Sequence, residues 1–265
     1  MIPLHGMTND SPLSKAGAST MSRNALKLLI HSDKADPARL AMLRPSMVTI
    51  VNCMNMVQKM VSTQQSTTRA GAAQQVLDAI ESETNLSVQC AVDALQSIYR
   101  NNSNPPQPLV LATFSRSSTL LAILQRVLAE RPETIKLPIL CSRSIPGGEG
   151  AIMAKDLNGN DSDTAICVED DELKDLVTEG KVDALLIGAD CVLADGSAVA
   201  NKVGTAKLAS AACQSTCRVV CCTDRLKVWD DAFPPPLETD LFEMVPVKDH
   251  DLKLLLPSPT IATME

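Results

Sequence analysis

The chain has 265 residues, a hydrophobic fraction of 45% and a formal net charge of -7. That length and composition are sufficient for one sizeable core or two modest ones. The negative charge disfavours nucleic-acid binding, which relies on clustered Lys and Arg, and one Trp, one Tyr and three Phe leave few rings on which bases stack. A small molecule or another protein is therefore the expected partner, not a nucleic acid.

Cysteine usage and the lack of long apolar runs indicate a cytoplasmic protein. The nine cysteines are odd in number, scattered and mostly embedded in apolar segments, as expected of reduced core residues. No apolar run approaches the roughly 20 residues that cross a membrane, and the first residues lack the charged-then-apolar order of a signal peptide. We expect no membrane association, no metal site and no bound cofactor.

The N-terminal part of the chain divides into a tail, a helical region and a linker. Residues 1–20 are rich in Ser, Thr, Gly and Pro without periodicity, which predicts a poorly ordered tail. Residues 21–100 carry apolar side chains at helical spacing, which predicts an all-helical bundle. The segment N-N-S-N-P-P-Q-P at residues 101–108 predicts a linker, because Pro cannot continue a helix and Asn and Ser favour turns.

From residue 109 to residue 265, short apolar runs alternate with helical patterns. The predicted strands cover residues 109–113, 137–141, 164–168, 184–188 and 219–222, and the predicted helices cover residues 118–130, 171–178 and 202–212. Fully apolar strands that alternate with helices are typical of a parallel sheet covered on both faces. The predicted fold class is therefore α/β, with a helical N-terminal bundle followed by a Rossmann-like parallel-sheet domain.

Three stretches with polar residues follow predicted strands, and in a parallel sheet such loops emerge at one edge. In A-T-F-S-R-S-S-T, residues 112–119, the Arg116 guanidinium beside a helix start suits a phosphate, whereas Ser117 or Ser118 is better explained as a helix cap. In C-S-R-S-I-P-G-G-E-G, residues 141–150, Arg143 directly follows a strand. The glycines of this loop let the backbone approach a ligand, although such a loop is often only a connection.

The third stretch runs from Val182 to Thr205, V-D-A-L-L-I-G-A-D-C-V-L-A-D-G-S-A-V-A-N-K-V-G-T, and its pattern predicts strand, loop and helix. Lys202 and backbone N–H groups at the helix start suit an anion, and Asp190 suits a hydroxyl or a proton. Each residue has a structural explanation: Asp190 as a cap or ion pair, Asn201 as an N-cap and Lys202 as a solvated side chain. Their combination in one loop of this topology favours a site for a phosphorylated small molecule.

The residues L-L-I-G-A-D-C-V-L-A-D-G-S-A-V-A-N-K-V-G-T resemble the signature of a known superfamily. Its members are the α, β and δ regulatory subunits of eukaryotic translation initiation factor 2B, methylthioribose-1-phosphate isomerase and archaeal ribose-1,5-bisphosphate isomerase. The S-R-S-S-T turn and the S-R loop with E-G resemble other loops of the same family, and the resemblance spans about residues 69–227. It implies a helical N-terminal domain, a Rossmann-like domain and dimers formed through the latter.

The resemblance also implies roles for particular residues. In the isomerases a Cys and an Asp form the acid/base pair that moves a proton between neighbouring carbons of an opened sugar phosphate, and the Asp falls on Asp190. The Asn-Lys pair that helps to hold the substrate falls on Asn201 and Lys202. Arg143 matches the Arg of the loop after the second strand.

The family Cys falls on Thr113 in A-T-F-S-R, and a threonine hydroxyl is not a usable proton-transfer group near neutral pH without special activation. The T-F-S-R version resembles the regulatory subunits, which lack that Cys. If the chain were catalytic, Cys141 or Cys191 would have to substitute for it.

Two hypotheses about function follow. The first is a non-catalytic protein resembling the initiation factor 2B regulatory subunits, which binds a sugar phosphate or nucleotide and acts as a homodimer or with related subunits. The alternative is an aldose-ketose isomerase of a phosphorylated pentose. A dinucleotide-binding oxidoreductase is disfavoured because no G-x-G-x-x-G follows the first predicted strand.

Overall fold

The computed structural model describes residues 18–43, 45–63, 68–100, 108–132, 136–159, 164–231, 235 and 237–256. The described part of the chain begins with four helices: α1 (Ala18–His31), α2 (Pro37–Ala41), α3 (Val48–Thr63) and α4 (Arg69–Arg100). Residues 18–20 of the predicted tail therefore belong to helix α1. The rest of that tail, and residues 101–107 of the predicted linker, lie outside the described residues.

Strands and helices alternate after helix α4. In chain order they are β1 (Leu111–Phe114), α5 (Ser118–Glu130), β2 (Ile139–Ser142), α6 (Glu149–Asn158), β3 (Ala165–Val168), α7 (Asp170–Thr178), β4 (Ala184–Ile187), β5 (Cys191–Leu193), β6 (Ala198–Lys202), α8 (Thr205–Cys213), β7 (Arg218–Cys222), β8 (Val228–Trp229), β9 (Phe242–Pro246) and β10 (Lys253–Leu255). Short 3-10 turns cover Arg225–Lys227 and Lys248–His250.

Six of these strands form an all-parallel sheet in the order β10-β7-β4-β1-β2-β3. The predicted parallel α/β architecture is confirmed. Strand β1 lies at the centre between β2 and β4, because the chain first builds outward through β2 and β3 and then returns to the other side of β1. The carboxyl ends of β1 and β4 therefore border the point where the strand order reverses.

Apolar layers cover both faces of this sheet, as buried strands of a parallel sheet require. On one face, Leu111 and Ile139 pack with side chains of helices α4, α5 and α6. On the other face, Ala112 and Phe114 pack with side chains of α7 and α8. Successive residues of β1 thus point to opposite layers, which is the period-2 geometry of a strand.

Helix α4 joins the helical bundle to the sheet. Buried residues in its first half, from Ala72 to Ile80, pack with helices α1 and α3. Buried residues in its second half, from Val88 to Leu95, belong to the layer that covers the sheet. One continuous helix therefore contributes to both cores.

A second sheet, in the order β8-β5-β6-β9, lies in the part of the chain that follows β4. Strands β5 and β6 form an antiparallel hairpin, with Cys191 opposite Ala200. The predicted helix over residues 202–212 is wrong at its start, because Lys202 ends strand β6 and helix α8 begins at Thr205. The hairpin strands are only three and five residues long, too short for their alternation to stand out in the sequence.

Within the described residues, no helix is long and apolar enough to cross a membrane.

Candidate functional site

A cleft lies at the carboxyl edge of the six-stranded sheet, beside the ends of β1 and β4. In open α/β sheets this is the usual place for a ligand, because the loops diverge where the strand order reverses. Residues after β1, after β2 and after β4 line the cleft, together with the end of β6. The three loops that the sequence placed at this edge on topological grounds are therefore neighbours.

Two adjoining cavities make up the cleft. The smaller has a volume of about 70 Å³ and the larger of about 310 Å³. Both are lined by Ala18, Ser115, Arg116 and Asp190. Residues that line only the smaller cavity include Phe114, Ser117, Ser118, Gly188, Asn201 and Lys227. Residues that line only the larger cavity include Pro146, Gly147, Glu149, Lys202 and Phe242.

Residues 188–204, which we call the β4–α8 segment, bring Asp190, Asn201 and Lys202 to the cleft. The Asn201 side chain is buried and donates from Nδ2 to Thr205 Oγ1 at 3.0 Å. Lys202 is 7% exposed, donates from Nζ to the Ser144 carbonyl oxygen at 2.9 Å and forms an ion pair with Glu149. The alternative explanation of Lys202 as a solvated side chain does not hold, since its ammonium connects strand β6 to the start of helix α6.

Gly204 ends the β4–α8 segment and lets helix α8 approach strand β1. Its φ of 104° lies in the left-handed region, and a Cβ at this position would lie 2.8 Å from Cζ of Phe114. Only glycine meets both requirements without strain. The G-T step before the Ala-rich helix is thus explained by packing.

Residues 143–148, which we call the β2–α6 loop, are organised by the carboxylate of Asp170. This carboxylate accepts hydrogen bonds from Ser144 N at 2.6 Å, Ile145 N at 2.9 Å and Ser142 Oγ at 2.5 Å. The Ser144 hydroxyl in turn accepts from Ser115 N at 2.6 Å, which links this loop to the loop after β1. Asp170 thereby fixes one wall of the cleft from outside it.

Arg116 lines both cavities, and its guanidinium is already paired. Its Nε and Nη2 atoms each lie 2.9 Å from Asp156 Oδ2 on helix α6. Of the two neighbouring serines, Ser117 caps helix α5 by accepting from Leu120 N at 3.3 Å. The capping interpretation of the S-S pair is confirmed for Ser117.

Arg143 lies away from the two cavities, although it directly follows strand β2. Its side chain is 52% exposed and pairs with Glu169. The neighbouring carboxylate raises the pKa of the Arg143 guanidinium through a side-chain hydrogen bond. The backbone of Arg143 is part of the β2–α6 loop, whereas its guanidinium pairs with Glu169 outside the two cavities.

The proposed proton-transfer groups other than Asp190 also lie away from the cavities. Burial raises the pKa of the Cys141 and Cys191 thiols from 9.0 to about 12, with a smaller contribution from Cys167 to the former and from Asp190 to the latter. Neither thiol lines either cavity. Thr113 is 1% exposed, and its hydroxyl has no hydrogen-bond partner among the described residues.

Two charged residues at the cleft were missed by the sequence analysis. Glu149 begins helix α6 and neutralises Lys202, and Lys227 lies in the 3-10 turn after strand β7 and is 5% exposed. One feature of the sequence could have pointed to Lys227: it follows the predicted strand at residues 219–222, and the loop after that strand emerges at the same edge of the sheet. Nothing in its local sequence distinguishes it from a surface lysine.

Among the described residues, no group of three or more His, Cys, Asp or Glu side chains is arranged to hold a metal ion. The polar groups that line the cleft are the side chains of Asp190, Asn201, Lys202, Lys227, Arg116 and Glu149 and the serines around the start of helix α5.

Comparison with known protein families agrees with this architecture. The sequence profile described as the initiation factor 2 subunit family matches residues 18–243, which is most of the chain. The chain belongs to the initiation factor 2 subunit family. In this family member, the matched region contains every predicted site residue and all of the described structure from α1 to the first residues of β9. No curated protein sequence matches the chain significantly.

Solved structures share the fold of this family member over nearly its whole length. The Pyrococcus horikoshii translation initiation factor eIF-2B matches with a TM-score of 0.71 and 16% identity, covering 93% of this chain and 94% of the other. The eIF2B delta subunit from Chaetomium thermophilum matches with a TM-score of 0.60 and 18% identity, covering 90% of each chain. The tetrameric eIF2B-beta2-delta2 complex from Chaetomium thermophilum matches with a TM-score of 0.63 and 14% identity, covering 91% of this chain and 86% of that one. At these identities the likeness establishes the fold.

Proposed function

We propose that this protein binds a phosphorylated sugar or nucleotide in the cleft beside β1 and β4 and acts without catalysis in the regulation of translation initiation. The observation that carries the proposal is the convergence of Asp190, Asn201 and Lys202 with the start of helix α5 on one cleft. A carboxylate suits ligand hydroxyls, and lysines with a helix N-terminus suit a phosphate. The larger cavity lies at the lower end of the volume range of about 300–1,000 Å³ that is usual for small-molecule sites.

The placement of the thiols favours binding over isomerisation. Moving a proton between neighbouring carbons requires an acid and a base that both reach the substrate. Asp190 lines the cleft, whereas Cys141 and Cys191 line neither cavity, and burial raises the pKa of both thiols to about 12, which makes the reactive thiolate still harder to form. Of the two carboxylates that line the cleft, Glu149 is paired with Lys202, so a cleft with Asp190 and two lysines supports recognition of a ligand more than acid/base chemistry.

The family supports the proposed partners and compartment. One of the similar structures is a tetrameric complex of two eIF2B beta and two eIF2B delta chains. We propose that this chain likewise pairs with a second copy of itself or with related subunits, and that it works in the cytoplasm, where translation factors act.

Calorimetric titration of the purified protein tests ligand binding. We expect ribose 5-phosphate or adenosine monophosphate to bind and the matching unphosphorylated ribose or adenosine to bind far more weakly. Asp190→Ala should weaken binding about tenfold, the effect of losing one hydrogen bond to a charged group. Asp249→Ala removes an exposed carboxylate that lines neither cavity and serves as the matched control.

Two further measurements decide between regulation and catalysis. The non-catalytic proposal expects no turnover of methylthioribose 1-phosphate or ribose 1,5-bisphosphate and expects co-purification with eIF2B-type subunits. Turnover that disappears in Cys141→Ser or Cys191→Ser would replace the proposal with the isomerase alternative. A protein that binds no phosphorylated compound and no related subunit would remove the proposal altogether.

A further inference from the structure

Three cationic side chains that the sequence placed near the ligand already have carboxylate partners. Arg116 pairs with Asp156, Arg143 with Glu169 and Lys202 with Glu149. A phosphate that approached any of these cations would have to compete with a carboxylate already in contact. The three side chains are therefore better explained as connections that hold the walls of the cleft.

Lys227 differs from these cations in burial and in pairing. It is 5% exposed and lines the smaller cavity with Gly188, Asp190 and Asn201. Within the described part of the chain, its side chain makes no ion pair and no hydrogen bond. An ammonium group that is removed from water and has no anionic partner in contact is unfavourable unless an anion completes its surroundings.

The backbone that carries Lys227 is firmly held. Asp224 caps the 3-10 turn by accepting from Leu226 N at 3.1 Å. Asn52 on helix α3 donates from Nδ2 to the carbonyl oxygens of Leu226 and Val228, both at 2.8 Å. These contacts from the helical domain fix the turn on both sides of Lys227, so its position is set before any ligand arrives.

The surroundings of Lys227 suit a phosphate. The smaller cavity also reaches Ser117 and Ser118 at the start of the 13-residue helix α5, where backbone N–H groups and the helix dipole favour an anion. The Lys227 ammonium also opposes the effect of burial on the pKa of the Cys221 thiol, whose sulfur lies 3.7 Å from the Gly188 carbonyl oxygen.

The volumes of the two cavities also suit a ligand whose phosphate lies in the smaller cavity and whose remainder lies in the larger one. The smaller cavity, of about 70 Å³, exceeds the roughly 10–15 Å³ that holds one water several times over, so it has room for a small polar group. The larger cavity, of about 310 Å³, has room for the remainder of the molecule. Asp190 lines both cavities, so its carboxylate is placed to accept from a hydroxyl next to the phosphate.

We infer that Lys227 receives the phosphate of the ligand in the smaller cavity, against the start of helix α5, while the sugar occupies the cavity that Lys202 lines. This inference rests on the proposed function and assigns the two ends of its ligand. Lys202 then acts by holding Glu149 and Ser144 in place, and Lys227 makes the direct contact with the anion.

Calorimetry with ribose 5-phosphate tests the assignment in three lysine variants. Lys227→Met, which keeps most of the buried side-chain volume, should weaken binding about ten- to a hundredfold, as expected for the loss of a charge-assisted contact. Lys207→Met is the matched control, because Lys207 is exposed on helix α8 and pairs with Asp171. Lys202→Met should have a smaller effect than Lys227→Met, and inorganic phosphate should compete with ribose 5-phosphate in the wild type.

A second variant keeps the test decisive if Lys227→Met does not fold. Ser118→Asp places a carboxylate in the smaller cavity at the first position of helix α5, where a negative charge stabilises the helix. It should fold as well as the wild type and bind ribose 5-phosphate at least tenfold more weakly, through repulsion of the phosphate. Wild-type affinity in both variants would overturn the inference and leave the proposed function standing, whereas no binding by the wild type would end both.

Discussion

The β2–α6 loop and the β4–α8 segment both line one cleft but are held in different ways. The segment is built on regular pairing: strand β6 pairs with β5 on one side and with β9 on the other. The loop contains no strand over residues 143–148, and it is held by the Asp170 carboxylate and by single backbone contacts such as that of Arg143 N with the Val168 carbonyl oxygen. Lys202 joins the loop and the segment through Ser144 and Glu149.

This difference indicates where single substitutions should matter most. Backbone hydrogen bonds between strands survive most changes of side chain, because the side chains do not make them. A loop held by one carboxylate and by one close backbone approach loses its support when either is changed. We therefore expect the larger effects on stability at residues that support the β2–α6 loop.

The largest effect is expected for Gly150→Ala in the first turn of helix α6, directly after the β2–α6 loop. A Cβ at this position would lie 1.7 Å from the Ser142 carbonyl oxygen, and its three nearest neighbours are backbone atoms of Ser142 and Arg143, so no flexible side chain can yield. Because the clash forces helix α6 away from β2, we expect a loss of about 3 kcal/mol in the free energy of unfolding. Urea denaturation monitored by circular dichroism measures it.

Gly196→Ala in the β4–α8 segment is the matched comparison. Gly196 has a φ of 68°, and an added Cβ would have no atom within 4 Å. The cost there comes only from the left-handed backbone conformation, about 1–2 kcal/mol. Equal losses for Gly150→Ala and Gly196→Ala would contradict the close approach of α6 to β2.

Asp170→Ala should have the next largest effect. It removes the acceptor of Ser144 N, Ile145 N and Ser142 Oγ, and we expect a loss of about 2–3 kcal/mol in the free energy of unfolding. Asp171→Ala is the adjacent control, because the Asp171 side chain is 80% exposed and only pairs with Lys207, so the change should be within about 0.5 kcal/mol. A loss at position 170 no larger than at position 171 would show that the loop is held by something else.

A smaller, pH-dependent effect on the free energy of unfolding is expected from the buried thiols of Cys141 and Cys191. Burial raises the pKa of Cys141 and of Cys191 from 9.0 to about 12. The folded state therefore keeps these protons to higher pH than the unfolded state, and stability is unaffected well below pH 9 and falls as the pH rises from about 9 toward 12. Cys141→Ala should reduce the fall between pH 9 and pH 10 by about 1 kcal/mol, as measured by urea denaturation at both values. The exposed Cys213→Ala should reduce it less, and equal slopes for all three proteins would contradict the raised pKa of Cys141.

Much of the fold could be predicted because its signals are local. The apolar runs around Leu111, Ile139 and Leu185 are continuous and lie between helical patterns, and each became a strand of the parallel sheet. The second sheet was not predicted, because strands such as Val228–Trp229 are too short to carry a period. Its pairing is decided by contacts between residues far apart in the chain.

The site could be predicted only in part, because several of its residues pair with partners that lie far away in the sequence. Topology placed Arg116, Asp190, Asn201 and Lys202 at one edge of the sheet, and all four line the cleft. The sequence could not show which cations are neutralised, since the partner of Arg116 lies 40 residues away and that of Lys202 lies 53 residues away. Lys227 was missed for the same reason, because its burial arises from packing that no local pattern encodes.

The smallest effect is expected for Arg143→Ala, and it sharpens the distinction between the backbone and the side chains of the β2–α6 loop. The Arg143 side chain is half exposed, lines neither cavity and pairs with Glu169, so its removal should change the free energy of unfolding by less than about 1 kcal/mol. Its backbone N–H, which donates to the Val168 carbonyl oxygen at 2.8 Å, is retained.

The affinity for ribose 5-phosphate should stay within about twofold of the wild type, because a cation that faces Glu169 contributes little to a phosphate held at Lys227. If calorimetry instead showed a loss comparable to that of Lys227→Met, the Arg143 guanidinium would have to leave Glu169 and turn into the cleft when the ligand binds, and the phosphate would belong to the loop rather than to the start of helix α5.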